Sequence, residues 1–456
     1  MFKNETIAAI STAQGSGGIG VIRVSGPRAK EIADKIFISV SGKKIAESKG
    51  YTAQYGKISD NGEIVDEAIA LVFNSPRSYT GEDVVELSCH GGMYITKKVL
   101  RLLIENGAEP AAAGEFTKRA FLNGKMSLTQ AESVMDIISA KGKQAARAAL
   151  FAREGVLFKR IGLIQKELIS IAGHLSAWAD YPEEDIADVE RDSLLEKLGQ
   201  VKKNLEDLIS SYDTALIIRE GIETVIVGKP NVGKSTLMNM LSGCERSIVT
   251  DIPGTTRDIV EDNVMLGDVL LRLADTAGIR NTTDPVEQIG VFKAQNRIKT
   301  SGLVLAVFDA SDKIDDDDIA ILESLKDITS IAVINKTDLE TKIDIDCVKK
   351  YIPNIVLISA YTGDGIKKLS EVIAKATNTA EFDPSNGVLA NERQRMAAFN
   401  ADECVNEAIE ALKYGFTLDA VTVSLEGAIQ ELLSLTGQRA SEEVVNEVFS
   451  QFCVGK

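Results

Sequence analysis

Residues 228–235 read Gly-Lys-Pro-Asn-Val-Gly-Lys-Ser, a full G-x-x-x-x-G-K-S. In such a segment the glycines let backbone N–H groups wrap a phosphate chain at a helix N-terminus. Lys234 reaches the outer phosphates and the Ser235 hydroxyl ligates Mg2+. Asn231, Val232, Gly233 and Thr236 complete the cradle. Downstream, Asp275-Thr276-Ala277-Gly278 places an acid where it holds the metal's water shell and a glycine where backbone meets a γ-phosphate. Asn335-Lys336-Thr337-Asp338 supplies a carboxylate that accepts two hydrogen bonds from guanine N1 and N2, and Ser359-Ala360 lies where a further base contact is expected. Adenine has a ring acceptor where guanine has N1–H, so this order of motifs predicts GTP with Mg2+ and hydrolysis at the γ-phosphate.

The residue after the Asp275–Gly278 turn is Ile279, so the glutamine that orients the attacking water in Ras-type sites is absent. Glu287 is a candidate for that work. The residue types alone favour a capping-box partner, with Asp284 as N-cap and Pro285 at the first helical position. The segment Thr250-Asp251-Ile252-Pro253-Gly254-Thr255-Thr256 offers two adjacent threonines, either of which can place a hydroxyl on Mg2+, beside a glycine that lets the loop fold over the phosphates. The Asn231 amide oxygen, with carbonyls from that loop, offers a monovalent cation a set of ligands. An asparagine here is also a common turn former.

These motifs need strands that end where they begin. Glu223–Val227 reads as a strand before the phosphate loop with a helix after it, and apolar runs precede Asp275 and Asn335. From Thr6 to Lys125 the pattern mixes β-like runs (Thr6–Ile10, Gly20–Ser25, Tyr51–Ile58, Ile64–Phe73, Asp83–Cys89) with helical stretches, and Asp60-Asn61-Gly62 marks a hairpin. Gly15-Ser-Gly-Gly-Ile-Gly20 matches a dinucleotide fingerprint by letter, but it opens a β-branched strand rather than a helix and is rejected. Residues 126–219 and 381–456 carry helical periodicity. The expected architecture is multidomain. An α+β domain spans 1–125, an all-α domain is split between 126–219 and 381–456, and an α/β P-loop domain is inserted at 220–380.

Composition narrows the classes further. With 51 basic and 67 acidic residues, a formal net charge of −16 argues against indiscriminate adhesion to nucleic acid or anionic lipid. The five cysteines are scattered without C-x-x-C, which fits neither a disulfide framework nor a zinc site. No apolar run reaches the roughly 18 residues of a membrane span, so a soluble cytoplasmic protein with no membrane partner is expected.

Several motifs together carry a family resemblance. They are Gly254-Thr-Thr-Arg-Asp258 with Asn231, Val21-Ile-Arg23-Val-Ser-Gly26, Tyr79-Thr-Gly-Glu-Asp83, Cys89-His-Gly-Gly92, Gly114-Glu-Phe-Thr-Lys-Arg-Ala-Phe-Leu-Asn-Gly-Lys125, and the terminal Phe452-Cys453-Val454-Gly455-Lys456. Over essentially its whole length the chain resembles the bacterial MnmE (TrmE) family of tRNA-modification GTPases. The resemblance implies a folate-binding N-terminal domain, a helical domain and a potassium-activated GTPase domain in a homodimer. A flavin-dependent partner of the MnmG (GidA) type would carry FAD and join it in a heterotetramer. Together they would place a carboxymethylaminomethyl group on carbon 5 of the wobble uridine (position 34) of certain tRNAs.

Residue by residue, the resemblance implies K+ at Asn231, Thr250, Ile252 and Thr255, Mg2+ at Ser235 and Thr256, and water orientation by Glu287. It also implies 5,10-methylene- or 5-formyl-tetrahydrofolate at Arg23, Glu86, Lys125 and Lys456. Cys453 matches a suspected catalytic thiol, whereas a buried cysteine near a terminus would be inert packing. Ser16 and Ser88-Cys89 depart from the family pattern near the folate site. The basic residues of 141–166 (Lys141, Lys143, Arg147, Arg153, Lys159, Arg160, Lys166), against the single acid Glu154, are either a tRNA-facing helix or a solvated one. A ribosome-assembly GTPase acting as an RNA-binding switch shares the phosphate-loop motifs and is the alternative.

Overall fold

A computed structural model describes residues 5–13, 15–180, 191–243, 262–273 and 301–456. They fall into two compact units, residues 1–135 with 423–456, and residues 136–422. The fold is α+β in the N-terminal part, all-α in the helical parts and α/β around the phosphate loop.

In the first unit, strands β1 (Ile7–Ile10), β2 (Ile19–Ser25), β3 (Phe37–Ser39), β4 (Thr52–Asp60), β5 (Glu63–Phe73), β6 (Val84–His90) and β7 (Glu109–Pro110) form one sheet in the order β3-β4-β5-β6-β2-β1-β7. All pairings are antiparallel except β1 with β7. Asn61 and Gly62 take φ of 48° and 94° at the β4–β5 turn, the left-handed pair that a two-residue hairpin matched to strand twist requires. Alternation along β2 sends Ile22 and Val24 into a core shared with Ile32 and Ile36 of helix Ala29–Ile36 and with Val99, Leu102 and Leu103 of helix Met93–Glu105. It turns Arg23 to the opposite face. Gly15–Gly20 leads into β2 and not a helix, as its β-branched continuation requires.

The chain terminus belongs to this unit. Ala113 and Val454 form a β-bridge, Gly114 N–H donates to the Cys453 carbonyl at 3.3 Å, and Phe116 N–H to a Lys456 backbone oxygen at 3.1 Å. Phe449 and Phe452, with ring centroids 5.2 Å apart, pack with Leu128, Ala131 and Val445.

In the second unit, β8 (Ile222–Val227), β9 (Asp262–Leu266), β10 (Val269–Leu273), β11 (Leu303–Asp309), β12 (Ser330–Asn335) and β13 (Ile355–Leu357) form a sheet ordered β13-β12-β11-β8-β10-β9. Only the β9–β10 pairing is antiparallel. Both faces are covered. Leu303, Leu305 and Val307 of β11 meet Leu237, Leu241, Leu369 and Ile373 on one side, and Val304, Ala306 and Phe308 meet Leu322 and Val348 on the other. That two-sided burial is why β11 reads as an unbroken apolar run.

Helices Arg191–Glu220 and Glu392–Tyr414 pack together in the same unit. Leu194, Leu198, Val201, Leu205 and Leu208 repeat at alternating steps of four and three on the first, and small residues Ala398, Ala401 and Ala408 on the second let the axes approach. These two sequence-distant helices thus share a core, whereas residues 423–456 fall in the first unit. Among the described residues no helix is long and apolar enough to cross a membrane.

Candidate nucleotide-binding site

The site lies at the carboxyl ends of β8, β12 and β13, where loops leave a parallel sheet. The loop after β8 turns through three left-handed residues, Gly228 (φ 148°), Asn231 (φ 69°) and Gly233 (φ 97°), before helix Lys234–Gly243. A Cβ on Gly228 would sit 2.4 Å from the Val307 carbonyl oxygen, and one on Gly233 would sit 2.2 Å from Asn335 Nδ2. Neither position admits a side chain, so both glycines follow from how tightly the loop is laid against β11 and β12.

Asn335, 2% exposed, donates Nδ2–H to the Val232 carbonyl at 2.9 Å and accepts the Ala360 N–H on Oδ1 at 2.9 Å. Ser359 Oγ donates to Asp338 Oδ1 at 2.6 Å, which fixes the carboxylate assigned to guanine while leaving it exposed. The structure thus brings together Val232, Gly233, Asn335, Asp338, Ser359 and Ala360.

Lys234 Nζ donates to the Gly228 and Lys229 carbonyls at 2.7 and 2.6 Å. Burial lowers its pKa, and an incoming polyphosphate relieves that penalty by supplying negative charge. Ser235, Thr236 and Asn231 present exposed side chains at the same loop. A loop of left-handed glycines at a helix N-terminus, with a half-buried lysine and an open serine hydroxyl, fits a magnesium-bound triphosphate. Thr250, Asp251, Ile252, Pro253, Gly254, Thr255, Thr256, Asp275, Thr276, Ala277, Gly278 and Glu287 lie outside the described residues.

Two features of this site were not read from the sequence. Lys336, itself left-handed at φ 63°, forms an ion pair with Asp309 at 2.5 Å. Burial pushes the Asp309 carboxyl up, but hydrogen bonds from Lys336 and Ser311 outweigh it and hold it below the usual carboxylate range. An acid ending the apolar run Leu303–Phe308 was the available signal. Lys229, inside the loop, pairs with Asp315 at 2.6 Å and with the buried Asp318 at 2.8 Å. Burial lowers its pKa, and the two carboxylates more than reverse that.

The residues assigned to folate lie in the first unit. Arg23 and Glu86 are cross-strand partners on β2 and β6, joined at 2.8 Å with side chains 15% and 20% exposed. The Arg23 guanidinium lies 5.3 Å from the Tyr79 ring centroid and 5.5 Å from that of Phe116. Phe116 N–H reaches the Lys456 backbone, so the terminal segment adjoins this cluster. Lys125 Nζ bonds the Pro76 carbonyl at 2.9 Å. The pair is thus matched within the protein, with Phe116 fully buried beside it. Cys453 is exposed, not buried, which corrects the packing alternative. Among the described cysteines Cys89 is the buried one, its thiol pushed up to about 11 chiefly by burial.

Known proteins resemble this chain along its whole length. The family described as "MnmE helical domain" matches residues 128–453, and "GTP-binding protein TrmE N-terminus" matches residues 6–125. The chain is 43% identical to the tRNA modification GTPase MnmE of Clostridioides difficile, across 100% of both chains. It is 42% identical to that of Acetivibrio thermocellus, again across 100% of both. A solved structure of a point variant of Aquifex aeolicus Era bound to GDP.AlF4- matches 40% of this chain and 66% of its own, at 27% identity and a TM-score of 0.27. On the two family matches and the full-length relatives, the chain belongs to the MnmE (TrmE) family.

Proposed function

We propose that this chain binds GTP at the β8–β12–β13 loops and hydrolyses it in the service of wobble-uridine modification of tRNA. The coarser statement, a GTP hydrolase taking part in tRNA modification, follows from family membership. The observation that carries it is the clamp of Asn335 between Val232 and Ala360, which joins the phosphate-holding and base-reading loops.

In the finer reading, Lys234 neutralises the outer phosphates and Ser235 with Thr256 holds Mg2+, which when bound offsets the charge that builds on the β- and γ-phosphates. Asn231, Thr250, Ile252 and Thr255 hold K+. Glu287 orients the water that attacks the γ-phosphorus, and the bridging oxygen leaves with GDP. Arg23, Glu86, Lys125 and Lys456 bind 5,10-methylene- or 5-formyl-tetrahydrofolate, the one-carbon source. A flavin-dependent partner carrying FAD assembles with a homodimer of this chain, and the complex adds carboxymethylaminomethyl to carbon 5 of uridine 34. Cys453, exposed beside the folate cluster, is the candidate thiol for the transfer. The domain scheme is 1–125, 126–219, 220–380 and 381–456, and the cytoplasm is the site of action.

The test is nucleotide turnover by the purified chain in matched KCl and NaCl. GTP hydrolysis that is fast in KCl, slow in NaCl, absent with ATP and abolished by Lys234→Ala supports the reading. Equal rates in both salts contradict the potassium assignment, and ATP turnover contradicts the base assignment.

A further inference from the structure

Among the described residues, two consecutive helices of this acidic chain carry exposed cations with no ion-pair partner. Helices Lys143–Arg153 and Val156–Asp180 follow one another through Gly155 (φ 81°). On the first, Ala145 and Ala149 are buried while Lys143 and Arg147 are exposed. On the second, Leu157, Ile161, Ile164 and Leu168 are buried while Lys159 and Lys166 are exposed, with Leu163 between them 71% exposed.

Several other exposed cations, though not Lys97 or Lys197, sit beside acids one turn away, as in Arg101–Glu105, Lys368–Glu371 and Arg395–Glu392. On these two helices no acid stands three or four positions from Lys143, Arg147, Lys159 or Lys166. Among the described residues none of the four has an ion-pair partner within 4 Å. Lys143 and Arg147 are themselves one turn apart, a like-charge spacing that opposes helix formation. The acids nearby are Glu154 at the junction, Glu167 next to Lys166, Asp268, which accepts from Gln144 at 3.4 Å, and Asp383, whose charge acts on Arg147. Arg147 lies 5.9 Å over the Phe151 ring. Arg160 is spent differently, half-buried and donating to the Asn386 and Gly387 carbonyls at 3.2 and 3.0 Å.

Exposed cations, two on each helix and without a described ion-pair partner, on a chain of formal charge −16 are complementary to a polyanion, and the proposed function supplies one. We propose that the solvent face of these two helices takes the phosphate backbone of the tRNA, through Lys143, Arg147, Lys159 and Lys166, with Lys141 leading in. The proposal rests on the tRNA-modifying reading and adds where the RNA lies on this chain. Contacts of this kind fix register and orientation without reading bases, so affinity follows salt and tolerates sequence.

The test compares full-length wild type with K143Q/R147Q/K159Q/K166Q and with K313Q/K326Q/K349Q/K350Q, which removes equal charge from exposed lysines around the nucleotide domain. Binding to fluorescently labelled unmodified tRNA is measured over a salt series, beside GTP turnover of each protein. Four lost phosphate contacts flatten the dependence of log affinity on log salt by roughly 3, from about 0.7 to 0.9 per contact. The first variant is expected to bind about 10- to 100-fold more weakly near 0.1 M salt and keep wild-type GTP turnover, while the second keeps wild-type affinity. Equal weakening by both variants means bulk charge rather than a surface, and overturns the proposal. So does unchanged tRNA binding in the first variant, including the case where it loses only a protein partner. Failure of the functional reading is a separate observation, a profile of wobble nucleosides that is unchanged when the gene is deleted.

Discussion

Asn335 Nδ2 donates to the Val232 carbonyl across 2.9 Å while Asn335 Oδ1 accepts the Ala360 N–H at the same distance. One buried side chain therefore joins three loops of the proposed nucleotide site. Asn335→Ala leaves a buried carbonyl and a buried N–H unpaired, at about 1 to 3 kcal/mol each. GDP affinity is expected to fall about 10- to 100-fold with a lowered melting temperature, read by fluorescent-nucleotide titration and calorimetry. Unchanged affinity would mean the loops hold their shape without the clamp.

Lys336 is held by Asp309, an ion pair on adjacent strand ends. Asp309→Asn keeps the volume and removes the charge that orients the lysine. GTP affinity is expected to drop about 3- to 20-fold, about 0.7 to 1.8 kcal/mol at 1.4 kcal/mol per decade. Turnover at saturation changes less than KM, which steady-state kinetics resolves. A loss confined to kcat would place Asp309 in the chemistry instead.

Arg23→Gln removes the cation from the Arg23–Glu86 pair and leaves Glu86 partly buried and unmatched. Binding of 5-formyl-tetrahydrofolate, followed by isothermal titration, is expected to weaken at least about tenfold, since hydrogen bonds to charged groups contribute roughly 1.5 to 3 kcal/mol. GTP turnover stays at the wild-type value. A retained folate affinity would move the ligand elsewhere.

Gly455 sits at φ 95°, and a Cβ there would lie 2.3 Å from the Ile10 carbonyl oxygen. Gly455→Ala is expected to unseat the terminal segment, raising amide exchange at Gly114 and Phe116, whose N–H groups bond Cys453 and Lys456. Exchange of the nucleotide-domain sheet is unaffected. If Gly114 and Phe116 keep their protection, the tail tolerates the side chain.

His90 Nδ1 lies 2.7 Å from Asp66 Oδ1, and its own backbone N–H bonds Asp66 Oδ2 at 2.8 Å. The Asp66 hydrogen bond and charge raise the His90 pKa above 6.5. Because the folded-state value is the higher one, the stabilising contribution is full below the unfolded-state pKa and fades as pH rises through the folded value. An NMR titration is expected to give a His90 midpoint above 6.5, returning to the ordinary value in Asp66→Asn. An unshifted wild-type midpoint would remove the pair.

Much of this was legible beforehand because the cause was local. Gly228 and Gly233 announce a loop pressed against strands, Asn61-Gly62 a tight hairpin, and Arg23 its face by alternation from Ile22 and Val24. The Asp309–Lys336 and Lys229–Asp315–Asp318 pairs join residues far apart in sequence, and no local period reports such a meeting. The docking of Val454 on Ala113 escaped for the same reason. The cysteine at 453 was readable as either buried or reactive, because burial three residues from a terminus depends on what that terminus packs against.

The central claim is that GTP handling by this chain serves carbon-5 modification of the wobble uridine. It is tested most directly by mass spectrometry of wobble nucleosides in tRNA from cells lacking the gene, complemented with wild type or with Lys234→Ala. The account predicts loss of the carbon-5 substituent in the deletion, restoration by wild type, and no restoration by Lys234→Ala. An unchanged nucleoside profile in the deletion, or full restoration by Lys234→Ala, would contradict it.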